Sequence, residues 1–312
     1  VRRNSDDILV ITVFSLAYRH GTARERRASK TSRHRVGRGN RDLSADPTAP
    51  TARRRGHVVV IRLPGVLVLL PPSETKADGG EGRCLDLDAL SFPTLTPVRR
   101  KLVDAVVELA KDVPASLSAL GLSSRQVGEV ERNARLWSSP TTPALLRYTG
   151  VLYDALDARS LTAAQRERAH DRLVVASALF GLVRAGDEIP AYRLSGGSTV
   201  PGLGSLRSVW RPVLEPVLAE VDDLVVDLRS GAYAALARVP AAITVRVVTE
   251  DAEGKRKTVS HHNKAYKGRL AAALATTDTD PTDADDVVAV AVAAGLRCER
   301  TGPTALELVT GG

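Results

Sequence analysis

The chain has 312 residues, 43% apolar but only 4% aromatic, which suits a Val-, Leu- and Ala-rich core in one large or two small domains. No apolar run approaches the roughly 18 residues of a membrane helix, and Cys84 and Cys298 lie far apart in no motif, which excludes a disulfide framework or cysteine metal site and predicts a reduced, cytoplasmic protein. The net charge of +8 is unevenly spread: residues 1–57 hold 14 Lys/Arg and 5 Asp/Glu, leaving 30 of the 44 basic and 31 of the 36 acidic side chains, a net of −1, to residues 58–312. A charge argument for nucleic-acid binding therefore fails for that body.

Residues 1–57 read as a disordered basic leader. Ile8–Ala17 is short and apolar behind Arg2 and Arg3, but Asp6 and Asp7 interrupt the basic region and no small-x-small site follows, so the likeness to a signal peptide is faint. The stretch HGTARERRASKTSRHRVGRGNRDLSADPTAPTARRR has too little apolar content to order itself. A polyanion-binding arm, a targeting segment, and upstream sequence translated from a start placed too early compete here. The last is preferred, because the chain begins with Val1 and contains no Met.

VLVLLPPSETK, residues 66–76, reads as a strand buried on both faces, closed by Pro71-Pro72, which cannot donate to a ladder. Ser73, Glu74, Thr75 and Lys76 then stand at the end of a buried strand, where open α/β sheets place ligands. A solvated polar loop is the competing reading. A hydrophobic strand running into Pro-Pro-Ser-Glu-Thr-Lys resembles the start of the YaaA proteins, a bacterial peroxide-stress family. Most members begin at or just before this strand, where Val66 stands here.

Gly79-Gly80 lacks the rest of a phosphate-binding fingerprint and reads as a flexible loop. Residues 97–112 predict a helix with Pro at its first position and Val103, Val106, Val107 and Ala110 on one face. LSALGL, the Ser123-Ser124 caps and a helix over 125–136 suggest either an ordinary αα corner or a helix–hairpin–helix, which some YaaA proteins are described as carrying. Only Gly121 is present where a stronger match has two glycines, so the corner is preferred. NARLW, with Arg132, Asn133 and Arg135, and RYTGVLYDALDA at 147–158, whose Val151–Leu156 part reads as helical, are similar to family segments. A helix over 163–172 capped by Thr162 precedes the apolar run 173–183, which reads as buried and including a strand.

ALFGLVRAGDEIPAYRL carries the most specific resemblance, with Arg184, Asp187, Tyr192 and Arg193 as its polar members. An Arg beside a Tyr suits an anionic or planar ligand; a buried Arg–Asp pair holding a loop is the alternative. Residues 195–205 read as a loop, and 206–221 as a helix kinked or started late by Pro212 and Pro216. LVVDL reads as a second buried strand, followed by Ala232 where the family usually has Glu. Residues 242–249 and 256–260 predict a hairpin, 263–274 and 286–294 helices, and 297–309 a closing hairpin. Lys264, Lys267 and Arg269 near a helix N-terminus call for an anionic partner. His261 and His262 are adjacent, so an extended chain points them apart and a shared metal is not expected.

The expected fold is α/β, with α+β as the alternative: one compact domain over 58–312, a mixed sheet wrapped by helices. The resemblance implies a cytoplasmic protein that limits iron-mediated oxidative damage and binds DNA weakly without sequence specificity. It implies a basic cleft matching Lys76, Arg132, Arg135, Arg193, Lys264 and Lys267. The alternative is an enzyme acting on a nucleotide or other small anionic metabolite, with Glu74 as general acid or base and Lys76 and Arg193 holding the anion. An interaction protein without chemistry is the third reading. The nucleic-acid or anion-binding candidates are Ser73, Lys76, Arg132, Asn133, Arg135, Arg184, Tyr192, Arg193, Lys264 and Lys267. No metal, cofactor or membrane partner is expected, and the oligomeric state is left open. All of this requires the polar residues at the strand ends to converge in one positively charged hollow.

Overall fold

Strand β1 (Val66–Leu70) is buried along its whole length, as an unbroken Val/Leu run demands. The computed structural model describes residues 65–258 and 263–311. The basic leader and the His261-His262 pair lie outside them.

A loop leads from β1 to α1 (Thr96–Leu109), which buries Leu102, Val103 and Val106. Helix α2 (Val113–Leu120) starts on Asp112, whose side chain accepts from the Ala115 amide, and stops at Gly121 with φ 63°, the left-handed cap that glycine adopts without a Cβ clash. A Ser123–Gln126 capping box and a short 3-10 turn then lead into α3 (Val127–Ala134). Next come β2 (Thr142–Pro143), α4 (Ala144–Arg147), α5 (Val151–Leu156) and α6 (Ala163–Arg172), the last opened by a Thr162–Gln165 capping box.

The apolar run 173–183 forms two strands, β3 (Leu173–Ser177) and β4 (Gly181–Arg184), paired antiparallel. The two-residue β5 (Glu188–Ile189) pairs with β2, and β6 (Thr199–Val200) pairs with β7 (Gly204–Ser205) inside the expected loop. Helix α7 (Leu206–Ala219) runs through Pro212 and Pro216. Both prolines lie on its exposed side, while Leu206, Trp210, Leu214 and Leu218 form the buried stripe. The carbonyls left without an intrahelical donor thus face water.

Strand β8 (Leu224–Asp227), α8 (Gly231–Ala234), β9 (Ile243–Glu250), β10 (Arg256–Thr258), α9 (Asn263–Thr276), α10 (Ala284–Ala293), β11 (Cys298–Gly302) and β12 (Ala305–Gly311) complete the chain. The main sheet has the order β11-β12-β9-β8-β1-β3-β4, with β10 also on β9. Strands β12, β9, β8, β1 and β3 are parallel; β4, β10 and β11 pair antiparallel with their neighbours. The fold is the expected α/β class, a mostly parallel mixed sheet flanked by helices. Among the described residues no helix is long and apolar enough to cross a membrane.

From β1 the chain proceeds to β3 on one side; from β8 it proceeds to β9 on the other. β1 and β8 therefore flank a topological switch point, and the crevice beyond their C-terminal ends is where sheets of this kind hold ligands. Leu69 stands opposite Asp227, and the Leu228 amide donates to Leu69 O at 2.9 Å, so the residues after both strands emerge side by side.

Candidate functional site

The Ser73–Lys76 loop is fixed by backbone before any side chain acts. Lys76 bridges antiparallel to Tyr148, the Ala77 amide donates to Arg147 O at 2.9 Å, and the Thr149 amide donates to Thr75 O at 3.3 Å. The fully buried Arg147 guanidinium spreads over the carbonyls of Ala77, Gly79 (2.8 Å), Pro140 (3.3 Å) and Ile189 (3.0 Å). An Arg fork in place of a sheet ladder thus satisfies the carbonyls that leave the strand.

Lys76 is 9% exposed. Its Nζ donates to Ser73 O at 2.9 Å and Glu74 O at 3.3 Å, and it lies 4.2 Å from the Tyr192 ring centroid and 5.5 Å from that of Tyr148. Burial drives its pKa down to about 7; Glu74 opposes the shift, and Arg193 adds to it. The Tyr192 hydroxyl hydrogen-bonds the hydroxyls of Tyr148 (2.9 Å) and Ser177 (2.8 Å). Burial pushes the Tyr148 phenol up to about 12 and Tyr192 well above the ordinary range, so both keep their protons.

Glu74 is paired elsewhere: one carboxylate oxygen meets Arg193 Nη1 at 3.2 Å and the other accepts from Ser195 Oγ at 3.0 Å. The Tyr233 hydroxyl, raised by burial and by Glu74, accepts from the Gly196 amide at 3.1 Å. Asn133, buried on α3, donates to Arg193 O and accepts from Arg193 N, both at 2.8 Å. Hydroxyls of Ser73, Thr75 and Thr149 chain together at 3.2 and 3.1 Å. Lys267, on α9, donates to Leu228 O at 3.1 Å, just past β8; burial lowers its pKa, and Asp227 partly restores it.

Of the residues singled out in the sequence, Ser73, Glu74, Lys76, Asn133, Tyr192 and Arg193 are brought together. Lys267 reaches the neighbouring strand end, and Arg132 joins through Asp78 and Glu129. Arg135 caps the end of α3 with an exposed side chain, and Lys264 is exposed in the first turn of α9. Arg184 is not at this site. It stands opposite Val174 near the start of β3, donating to the carbonyls of His170 and Asp171, because the turn at 178–180 reverses β4 and carries its end away from Ser177. Asp187 binds the Arg184 amide and Ser91, not the guanidinium, so the alternative reading, an Arg–Asp pair holding the loop, is not realised between these two side chains.

The expected positively charged hollow also needs correction. Arg193 is met by Glu74, Arg132 by Asp78 and Glu129, and Arg229 by both oxygens of Asp227. What remains is an amine near neutrality beside compensated ion pairs. Such a group is a base and a nucleophile at ordinary pH, and the phenols around it, which keep their protons, are hydrogen-bond donors. Among the described residues, no group of three His, Cys, Asp or Glu could hold a metal ion. Sequence reasoning missed Arg147, Tyr148, Ser177, Ser195 and Tyr233 as functional. Tyr148 lay inside RYTGVLY, but Ser177 was hidden in an apolar run.

Residues 66–299 match the family model described as peroxide stress protein YaaA. A UPF0246 protein of Corynebacterium efficiens is 49% identical over 238 residues, covering 75% of this chain and 95% of that protein. A UPF0246 protein of Corynebacterium glutamicum is 46% identical over 249 residues, covering 78% and 99%. One of Streptomyces coelicolor is 44% identical over 243 residues, covering 76% and 94%.

Proposed function

The chain belongs to the YaaA family of peroxide stress proteins, and from that premise we propose that its strand-end site binds and converts a small anionic metabolite, such as a nucleotide. The carrying observation is the buried Lys76 amine, held near neutrality at the switch point next to Arg193. Arg193 receives the anion, Lys76 accepts a proton as general base, and Glu74, half exposed and displaced from Arg193 by the anion, is the second group placed to take part in proton transfer. The test is calorimetric titration of the full chain with AMP and inorganic phosphate, repeated on Arg193→Gln. Saturable binding that the substitution abolishes supports the reading; unchanged binding removes it. Glu74→Gln that still binds AMP but converts none would assign the proton-transfer step.

A second reading is weak, sequence-independent DNA binding as part of limiting iron-mediated damage. The helix–Gly121–helix arrangement of α2 and α3 favours it, although the amides of Gly121, Leu122 and Ser123 are taken by Ser118 O, Leu117 O and Gln126 Oε1 and would have to be released to meet a phosphate. The body charge of −1 and the paired arginines limit it to low salt. Titration of duplex and branched DNA at two salt concentrations checks it, and absence of binding at low salt removes it. The iron part rests on the family alone.

A further inference from the structure

We propose that Lys76 is a nucleophile that forms an imine with a small aldehyde or ketone carrying a carboxylate or phosphate held by Arg193. The inference rests on the anion site proposed above and adds covalent chemistry to it.

The geometry of Nζ carries the argument. A neutral amine has two N–H donors and one lone pair, and Nζ finds two backbone acceptors, Ser73 O and Glu74 O. With both N–H groups spent on carbonyls, the lone pair is the part left to react. The carboxylate nearest in sequence is engaged by Arg193 and Ser195. The neighbouring surface is the faces of Tyr192 and Tyr148; the rings themselves attract a cation, but the loss of water on burial outweighs that attraction and favours the uncharged amine.

Arg193 supplies the second half. Its backbone is clamped by Asn133, so the guanidinium keeps its anchor when Glu74 leaves it. Glu74 and Thr75 are exposed, and the Glu74 side chain retains 46% of its accessible surface, so an incoming anion can replace that carboxylate on Arg193. The anion then lies where the Glu74 carboxylate now sits, beside Nζ, because Arg193 Nη1 donates at 3.4 Å to Glu74 O, the carbonyl that Nζ meets at 3.3 Å. A molecule of a few carbons spans the interval.

The step balances without a redox partner. The Nζ lone pair forms the C–N bond, the carbonyl π electrons move to oxygen, and the two amine protons leave with that oxygen as water. Tyr148, Tyr192 and Ser177, whose hydroxyls form one hydrogen-bonded group and keep their protons, are the nearby hydrogen-bond donors for the departing oxygen, the two protons of the water coming from the amine.

The test is reductive trapping on the full chain. The protein is incubated with glyoxylate, with glycolaldehyde phosphate or with neutral glycolaldehyde, each with cyanoborohydride, and the adduct is mapped by mass spectrometry. The expected result is one adduct at Lys76, formed at least tenfold faster with an anionic probe, with a rate that rises through pH 7. Preference between glyoxylate and glycolaldehyde phosphate separates a carboxylate from a phosphate substrate. Arg193→Gln reduces the anionic rate to that of glycolaldehyde. Labelling spread over exposed lysines such as Lys264, or equal rates for all three probes, overturns the proposal. Oxalate titration by calorimetry separates the two readings. Oxalate binding without Lys76 labelling leaves the anion site standing and rejects the imine; neither binding nor labelling rejects both.

Discussion

Asn133 and Arg193 are joined as two strands would be, by a reciprocal pair of hydrogen bonds of 2.8 Å, although one partner is a side chain on α3 and the other a main-chain segment 60 residues away. The pair mimics one rung of a ladder and seats Arg193 over Glu74. Asn133→Ala strands both backbone groups of Arg193 and should cost about 2 kcal/mol. Urea unfolding should show this, together with weaker phosphate binding. Asn133→Asp keeps the acceptor but sets a buried carboxylate oxygen against Arg193 O, and should cost at least as much as Ala.

Stability should depend on pH through Lys76. Its folded pKa of about 7 lies below the unfolded value of 10.5, so the unfolded chain binds more protons between these limits. Stability attributable to Lys76 therefore rises with pH across that window, is lowest below 7 and levels off above 10.5. Lys76→Met, which has no charge to desolvate, should be more stable than wild type at pH 6, by a few kcal/mol at most. That advantage should shrink steadily towards pH 9.5, as followed by urea unfolding at fixed ionic strength. A gap independent of pH would show that the amine is protonated in the fold.

Arg147 should be intolerant even of lysine. Its planar fork meets four carbonyls from three segments, and an ammonium cannot span them. Arg147→Lys should lose about 3 kcal/mol through unpaired buried carbonyls, with looser amide exchange at Ala77 and Thr149, whose amides tie the loop to the Arg147 segment.

Gly181 opens β4 with φ 73°, and a Cβ there would lie 2.7 Å from the buried Trp210 ring. Gly181→Ala meets both backbone strain and a clash, and should destabilise by roughly 2–4 kcal/mol. Thermal unfolding followed by Trp fluorescence should show the lower midpoint with an altered native spectrum.

The sheet was legible where hydrophobic pattern and chain punctuation agreed. Val66–Leu70 followed by two prolines could be little else, and Ser73–Lys76 fell at its end for the same reason. Arg184 was misplaced because 173–183 is apolar but for Ser177 and Gly181: the reversal at 178–180 is made of Ala, Leu and Phe, and its turn chemistry lies in the flanking pair, Ser177, whose hydroxyl accepts from the Phe180 amide, and Gly181 at positive φ. Charge compensation was not legible either. Asp78 and Glu129 sit in polar stretches that read as solvated surface, and only the fold brings both to Arg132. The depressed Lys76 could not be read from a run of four polar residues, since its burial comes from Tyr148 and Tyr192, distant in sequence.

The atoms that receive the Lys76 amine belong to the main chain of Ser73 and Glu74, not to their side chains. The amine is thus wired to features every amino acid possesses. Substitution at 73 leaves the carbonyl that receives it in place. A designer could therefore randomise position 73 to seek new ligands while keeping both the amine's orientation and the Glu74 side chain untouched.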